Sequence, residues 1–101
     1  MSDKIYSIPE IRAIAAPIAE KHGVSALYLF GSYARGDATA QSDLDFRVDK
    51  GRITSLFQLA GLELDLEKGF QKKLDVLTTQ MLSESFLASI RPEEVLIYAE
   101  G

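Results

Sequence analysis

The residues best suited to chemistry lie between Gly31 and Asp45. Gly31-Ser32 closes an apolar run, and after ten intervening residues comes Asp43-Leu44-Asp45. Glycine lets the backbone approach a phosphate closely because it has no Cβ. Ser32 adds a hydroxyl, and free backbone N–H groups at a helix start attract anions. On a strand, Asp43 and Asp45 share one face, about 7 Å apart along the chain, while Leu44 and Phe46 share the other. Two carboxylates on one face beside an anion cradle suit a divalent cation and phosphoryl or nucleotidyl transfer. The plainer reading is a solvated polar face on an edge strand. Asp is depleted in strands and like charges on one face repel, objections that a bound cation removes.

Gly-Ser, ten residues and Asp-x-Asp together resemble the signature of the nucleotidyltransferase superfamily. The fuller match joins Gly31-Ser-Tyr-Ala-Arg-Gly-Asp37 to Ser42-Asp-Leu-Asp-Phe46. It is similar to the minimal, single-domain branch called MNT, and the resemblance covers the chain from Ile11 to Tyr98. It implies an α/β fold of the polymerase-β type, with helices covering a small mixed sheet. It also implies two Mg²⁺ ions held by Asp43, Asp45 and Asp75, and an NTP, ATP first, whose β- and γ-phosphates lie on Gly31 and Ser32. An acceptor hydroxyl would attack the α-phosphorus and release pyrophosphate. By the same resemblance Asp75 is the third carboxylate, completing the metal site or deprotonating the acceptor.

Many MNT proteins are antitoxins paired with a HEPN-family toxin, an RNase, and transfer AMP to a tyrosine of that toxin. The resemblance therefore implies a HEPN partner, although no residue here identifies one. Transfer to a small hydroxylated molecule is the enzymatic alternative, as in aminoglycoside nucleotidyltransferases, which usually carry an additional substrate-binding domain. The alternative from another class is an ATP-binding module that neutralises a partner by contact without turnover. The presence of all three aspartates favours an enzyme.

Other polar residues keep more than one reading. Arg35 can contact phosphate, pair with Asp37 or meet a partner protein. Ser42 can bind its own loop or cap the strand entrance. Gly36 reads as a turn residue, and Tyr33 can pack or stay exposed. Arg47, on the aspartates' face, can temper their charge or reach substrate. Asp75, taken alone between Leu74 and Val76, reads as a solvent-facing strand residue. Glu63 and Asp65 fall on a helix and are explained as its wet face. His22, the one histidine, reads as a polar residue in a last helical turn.

The 101 residues are 47% hydrophobic and 26% charged, which suits one globular domain over residues 1–101 with a single core. Such a domain leaves little room for a separate acceptor-binding unit, so another chain is expected to complete the substrate; the oligomeric state stays open. The net charge of -4 and the lack of a Lys/Arg run argue against a broad nucleic-acid surface. With no cysteine, disulfides and thiolate metal sites are excluded. No apolar leader or membrane-length run is seen, so a cytoplasmic protein is the default expectation.

The remaining pattern supplies the frame. Ser7-Ile-Pro-Glu10 fits a capping box for a helix carrying Ile11, Ile14, Ala15 and Ile18, with Gly23 as its stop. Pro17 predicts a kink or break there, because an interior proline costs about 3 kcal/mol. Val24–Phe30 reads as a buried strand and Asp43–Asp49 as a second, turning at Gly51. Thr54 or Ser55 caps a helix carrying Leu56, Leu59, Ala60, Leu62 and Leu66, with Gly69 as its stop. Lys73–Thr78 reads as a third strand. The last helix, Ser83 to Ile90, turns Leu82, Phe86, Leu87 and Ile90 inward and ends before Pro92. Val95–Tyr98 fits either a strand or more helix.

Overall fold

The computed structural model describes residues 4–101; the expected domain 1–101 therefore begins outside the described residues. Ser7 opens the first helix, α1 (Ile8–Lys21), through a reciprocal capping box in which Ser7 Oγ accepts the Glu10 N–H and the Glu10 carboxylate accepts the Ser7 N–H. Of the kink or break expected at Pro17, the break is absent: the helix runs through it. Pro17 and Ala13, whose carbonyl loses its partner four residues on, both lie on the exposed side. Water can therefore replace the missing hydrogen bond.

Strand β1 (Ala26–Phe30) is followed by the one-turn helix α2 (Ser32–Arg35), strand β2 (Leu44–Asp49), helix α3 (Leu56–Phe70) and strand β3 (Leu74–Thr78). A 3₁₀ turn (Thr79–Met81), helix α4 (Glu84–Ile90) and strand β4 (Val95–Ala99) complete the chain, so the ambiguous Val95–Tyr98 segment is a strand. The sheet order is β3-β2-β1-β4. β1 pairs antiparallel with β2 and β4, whereas β2 and β3 run parallel. A parallel pair needs a long crossover, and α3 supplies it.

Alternation along β1 and β2 sorts the side chains onto two faces. Leu27, Leu29, Leu44, Phe46 and Val48 join Ile11, Ala15, Ala19, Leu62, Leu66 and Phe70 of α1 and α3 in the main core. The opposite face carries Phe30, packed with Leu87 and Ile90 of α4 in a smaller cluster. Asp45 lies beside Phe30 in the register, on this second face.

Two further expectations for the helices change. Gly69 does not stop α3, which continues to Phe70 and ends with Gln71 in the left-handed conformation. Instead Gly69 lets α3 pass close to α1, since a Cβ there would lie 3.0 Å from Ile14 Cγ2. Leu56 and Ala60 are exposed, because the buried stripe of α3 runs through Leu59, Leu62, Leu66 and Phe70. Leu56 instead borders a cleft of about 320 Å³ with Ile53, Leu59 and Met81. Phe86 is also exposed, although its ring meets Phe30 edge-on at 6.0 Å.

Candidate active site

The end of β1 sets the geometry. Gly31 takes φ +80° and ψ -158°, a region open essentially to glycine alone. A Cβ at this position would collide with Asp45 Oδ2, so the turn is built around that carboxylate. Gly31 is the N-cap of α2, and Ser32 is its first residue. Gly36 closes α2 in the left-handed conformation, fulfilling its reading as a turn residue.

Strand pairing brings the carboxylates together. The parallel register sets Asp45 directly beside Asp75, and adjacent strands are about 4.8 Å apart. Asp43 immediately precedes β2, and both it and Asp75 are exposed while Asp45 is half-buried. Burial, reinforced by the negative charges of Asp75 and Asp43, pushes the Asp45 carboxyl up to about 6, against the pull of Arg35. Among the described residues, no group of three His, Asp or Glu side chains is arranged so that it could hold a metal ion. The donor chemistry nevertheless fits a hard divalent cation: three acidic oxygen donors, one of them resisting ionisation because it is partly buried beside the other two.

The other candidates divide. Arg35 donates through Nε to Asp37 at 3.3 Å, so the expected Asp37 pair is present, and through Nη1 to both Glu93 oxygens at 3.2 and 3.3 Å. The Gly31 N–H also donates to Glu93 Oε2, at 2.6 Å. Ser42 binds its own loop: its Oγ accepts the Thr39 N–H at 2.9 Å, and its N–H donates to the Thr39 carbonyl. Tyr33 packs, with 4% of its surface exposed. Arg47 is committed to partners other than Asp43 and Asp45. It is buried, forks onto Glu94 at 2.6 and 3.0 Å and stacks 4.2 Å from the centre of the Tyr28 ring. Asp65 is taken by His22 at 2.7 Å and Lys21 at 3.2 Å, ties that join α3 to the end of α1. Glu63 lies within electrostatic range of Asp75, and burial is the main cause of its raised pKa.

Sequence reasoning missed Glu93, Glu94 and Lys72. Lys72 is buried and donates to the Ala40 carbonyl at 2.8 Å, holding the loop that leads from α2 to Asp43. No motif announces these three. Their partners lie 32 to 62 residues away, a distance that local pattern cannot span.

Comparison with known proteins agrees with this architecture. A candidate protein adenylyltransferase of Methanocaldococcus jannaschii is 43% identical over 72 residues, covering 71% of this chain and 77% of its own length. Protein adenylyltransferase MntA of Thermococcus cleftensis is 32% identical over 80 residues, 79% of this chain and 81% of its own. A solved candidate minimal nucleotidyltransferase superposes with a TM-score of 0.77 at 27% identity, over 89% of this chain and 95% of that one. The MNT antitoxin complexed with tri-AMPylated HEPN toxin from Shewanella oneidensis shares the fold, with a TM-score of 0.70 at 14% identity over 92% and 73% of the two chains. The sequence model for polymerase β nucleotidyltransferases matches residues 13–100, a span that takes in the glycine turn, all three candidate carboxylates and the whole sheet. The chain is a member of that nucleotidyltransferase family.

Proposed function

We propose that this chain is a Mg²⁺-dependent protein adenylyltransferase that moves AMP from ATP to a tyrosine of a HEPN-type toxin and so acts as its antitoxin. The observation that carries the reading is the pairing of Asp45 with Asp75 across parallel strands, with Asp43 two residues away and Gly31 wrapped against the Asp45 carboxylate. The adenylyltransferase relatives support AMP as the transferred group. The AMP-bearing toxin in the Shewanella oneidensis complex supports the partner.

Asp43, Asp45 and Asp75 would hold two Mg²⁺ ions, which when bound neutralise phosphate charge and make the acceptor hydroxyl more acidic. The chain's own residues orient and accept. Gly31 lets the backbone meet the phosphates at close range, Ser32 adds a hydroxyl donor, and Arg35 adds a cation. Ser42, by shaping the loop before Asp43, supports the nucleotide seat indirectly. The acceptor oxygen bonds to the α-phosphorus as the bond to pyrophosphate breaks, and the hydroxyl proton passes to the Asp75 carboxylate. Positioning and preorganised charge carry such a reaction.

The test is incubation with ATP, Mg²⁺ and the HEPN protein encoded alongside, followed by mass spectrometry of both chains. AMP on a partner tyrosine, lost in Asp43→Asn, is the expected result. Pyrophosphate release without partner modification would redirect the search to a small hydroxylated acceptor, and the absence of both would refute transferase activity.

A further inference from the structure

Two residues read as phosphate-binding, Gly31 and Arg35, converge on one carboxylate from a distant segment. Glu93 Oε2 accepts the Gly31 N–H at 2.6 Å, and both Glu93 oxygens accept from Arg35 Nη1. From this juxtaposition, which rests on the nucleotide reading above, we infer that Glu93 is a built-in competitor for the triphosphate seat. Its carboxylate occupies the donors that the phosphates need, and binding of the nucleotide displaces it.

The chemistry of the contact matches a phosphate's. A carboxylate and a phosphate oxygen take the same charge-assisted bonds from a backbone N–H and a guanidinium. Glu93 stands in the turn between α4 and β4, where its own N–H donates to the Ile90 carbonyl at 3.0 Å. The next residue fixes this turn to the sheet, because Glu94 is locked in the buried fork with Arg47. The glutamate therefore projects from an anchored base, and displacement requires side-chain rotation alone.

The setting also makes the seat uncomfortable for a carboxylate. Glu93 adds to the negative field at Asp45 alongside Asp75 and Asp43, and Arg35 is the cation opposing it there. A nucleotide arriving with its divalent cation brings countercharge to the same place, which Glu93 cannot do. Occupation by Glu93 shields the donors when no nucleotide is present and lowers the apparent affinity when one arrives.

Glu93→Gln keeps the shape and removes the charge; Glu93→Ala removes the competitor. Calorimetric titration with Mg²⁺-tripolyphosphate, which has no base to recognise, and with Mg²⁺-ATP reads the effect directly. Loss of the charged acceptor predicts roughly tenfold tighter binding in Glu93→Ala, and a smaller gain in Glu93→Gln, whose amide oxygen can still accept the Gly31 N–H. A residue that merely braces Arg35 would give the opposite sign, since its loss can only loosen the seat. Binding by the wild type with equal or weaker affinity in both folded variants would overturn the competitor and leave the nucleotide reading standing. Absence of binding in the wild type and in both variants would overturn the two together. Thermal melts establish that each variant is folded.

Discussion

At the scale of single residues, Asp45 joins local strain to charge. Its pKa stands at about 6 against an ordinary 3.8, so the folded chain binds this proton more tightly than the unfolded one. The contribution of Asp45 to stability is then greatest below about pH 4, falls as pH rises toward about 6 and is flat above. A shift of this size corresponds to about 3 kcal/mol at full burial; the side chain is half-buried, and solvent screening reduces the cost at neutral pH to about 1 kcal/mol. In chelator, Asp45→Asn should therefore raise the melting temperature at pH 7, with the gain vanishing near pH 4, and should abolish nucleotide transfer. Paired melts from pH 4 to pH 8 check this, and a variant less stable than wild type at pH 7 would contradict it. Gly31 was legible in the sequence as a residue needing close backbone approach; the structure adds the Asp45 carboxylate as the neighbour that a Cβ there would strike. Gly31→Ala forces a side chain into a glycine-only conformation, at a cost of order 1–3 kcal/mol, and displaces that carboxylate. Ser32→Ala carries neither penalty and should weaken ATP use by roughly 1.5–3 kcal/mol, the value of a hydrogen bond to a charged group, while the melt stays close to wild type. Steady-state kinetics beside melts of both variants separate the two effects.

At the scale of elements, the site depends on pairings that no local pattern encodes. Strand periodicity marks Asp75 only as a residue flanked by apolar neighbours; the parallel register of β2 and β3 sets it beside Asp45. If Asp75 takes the acceptor proton, Asp75→Asn should lose single-turnover transfer and keep most of the Mg²⁺-ATP affinity, because Asp43 and Asp45 remain. A parallel fall in affinity would make it mainly a metal ligand. A change in neither, beyond the roughly 0.5 kcal/mol of a surface substitution, would remove it from the site and turn attention to Glu63. The Arg47–Glu94 fork illustrates the same limit on sequence reading. Alternation put Arg47 on the aspartates' face, correctly, but nothing local shows that a glutamate 47 residues on will claim it. With side chains 8% and 7% exposed, this pair is a buried one, and removal of one partner strands the other. Glu94→Ala should cost about 3 kcal/mol, measurable by urea denaturation, with Asp49 and Thr79 retaining part of the Arg47 network. A loss below about 0.5 kcal/mol, the size of a surface change, would mean that the fork does not anchor the turn.

At the scale of the whole molecule, the element order was readable because caps and periodicity are local: Ser7 and Ser55 each cap the helix expected after them, and the last helix starts at Ser83, its cap. The strand order, the side of the sheet that α4 covers and the arrival of Glu93 on Gly31 were not, since each is a contact between distant segments. What the assembled molecule does with this arrangement is to hold several carboxylates on one face with little opposing charge, and that has a global consequence. A ligand bound only by the folded chain stabilises it by about 2.7 kcal/mol at a hundredfold excess over Kd, or roughly 10 °C for a domain of this size. Mg²⁺ with ATP should therefore raise the melting temperature at pH 8 by an amount of this order. The rise should shrink at pH 5.5, where the proton on Asp45, with its pKa of about 6, competes with the cation. In the Asp43→Asn/Asp45→Asn double variant both the rise and its pH dependence should disappear, because neither carboxylate remains for proton or cation to bind. A rise of equal size in the double variant, or one indifferent to pH in the wild type, would locate the ion away from these strands and remove the support for a metal centre between Gly31 and Asp75.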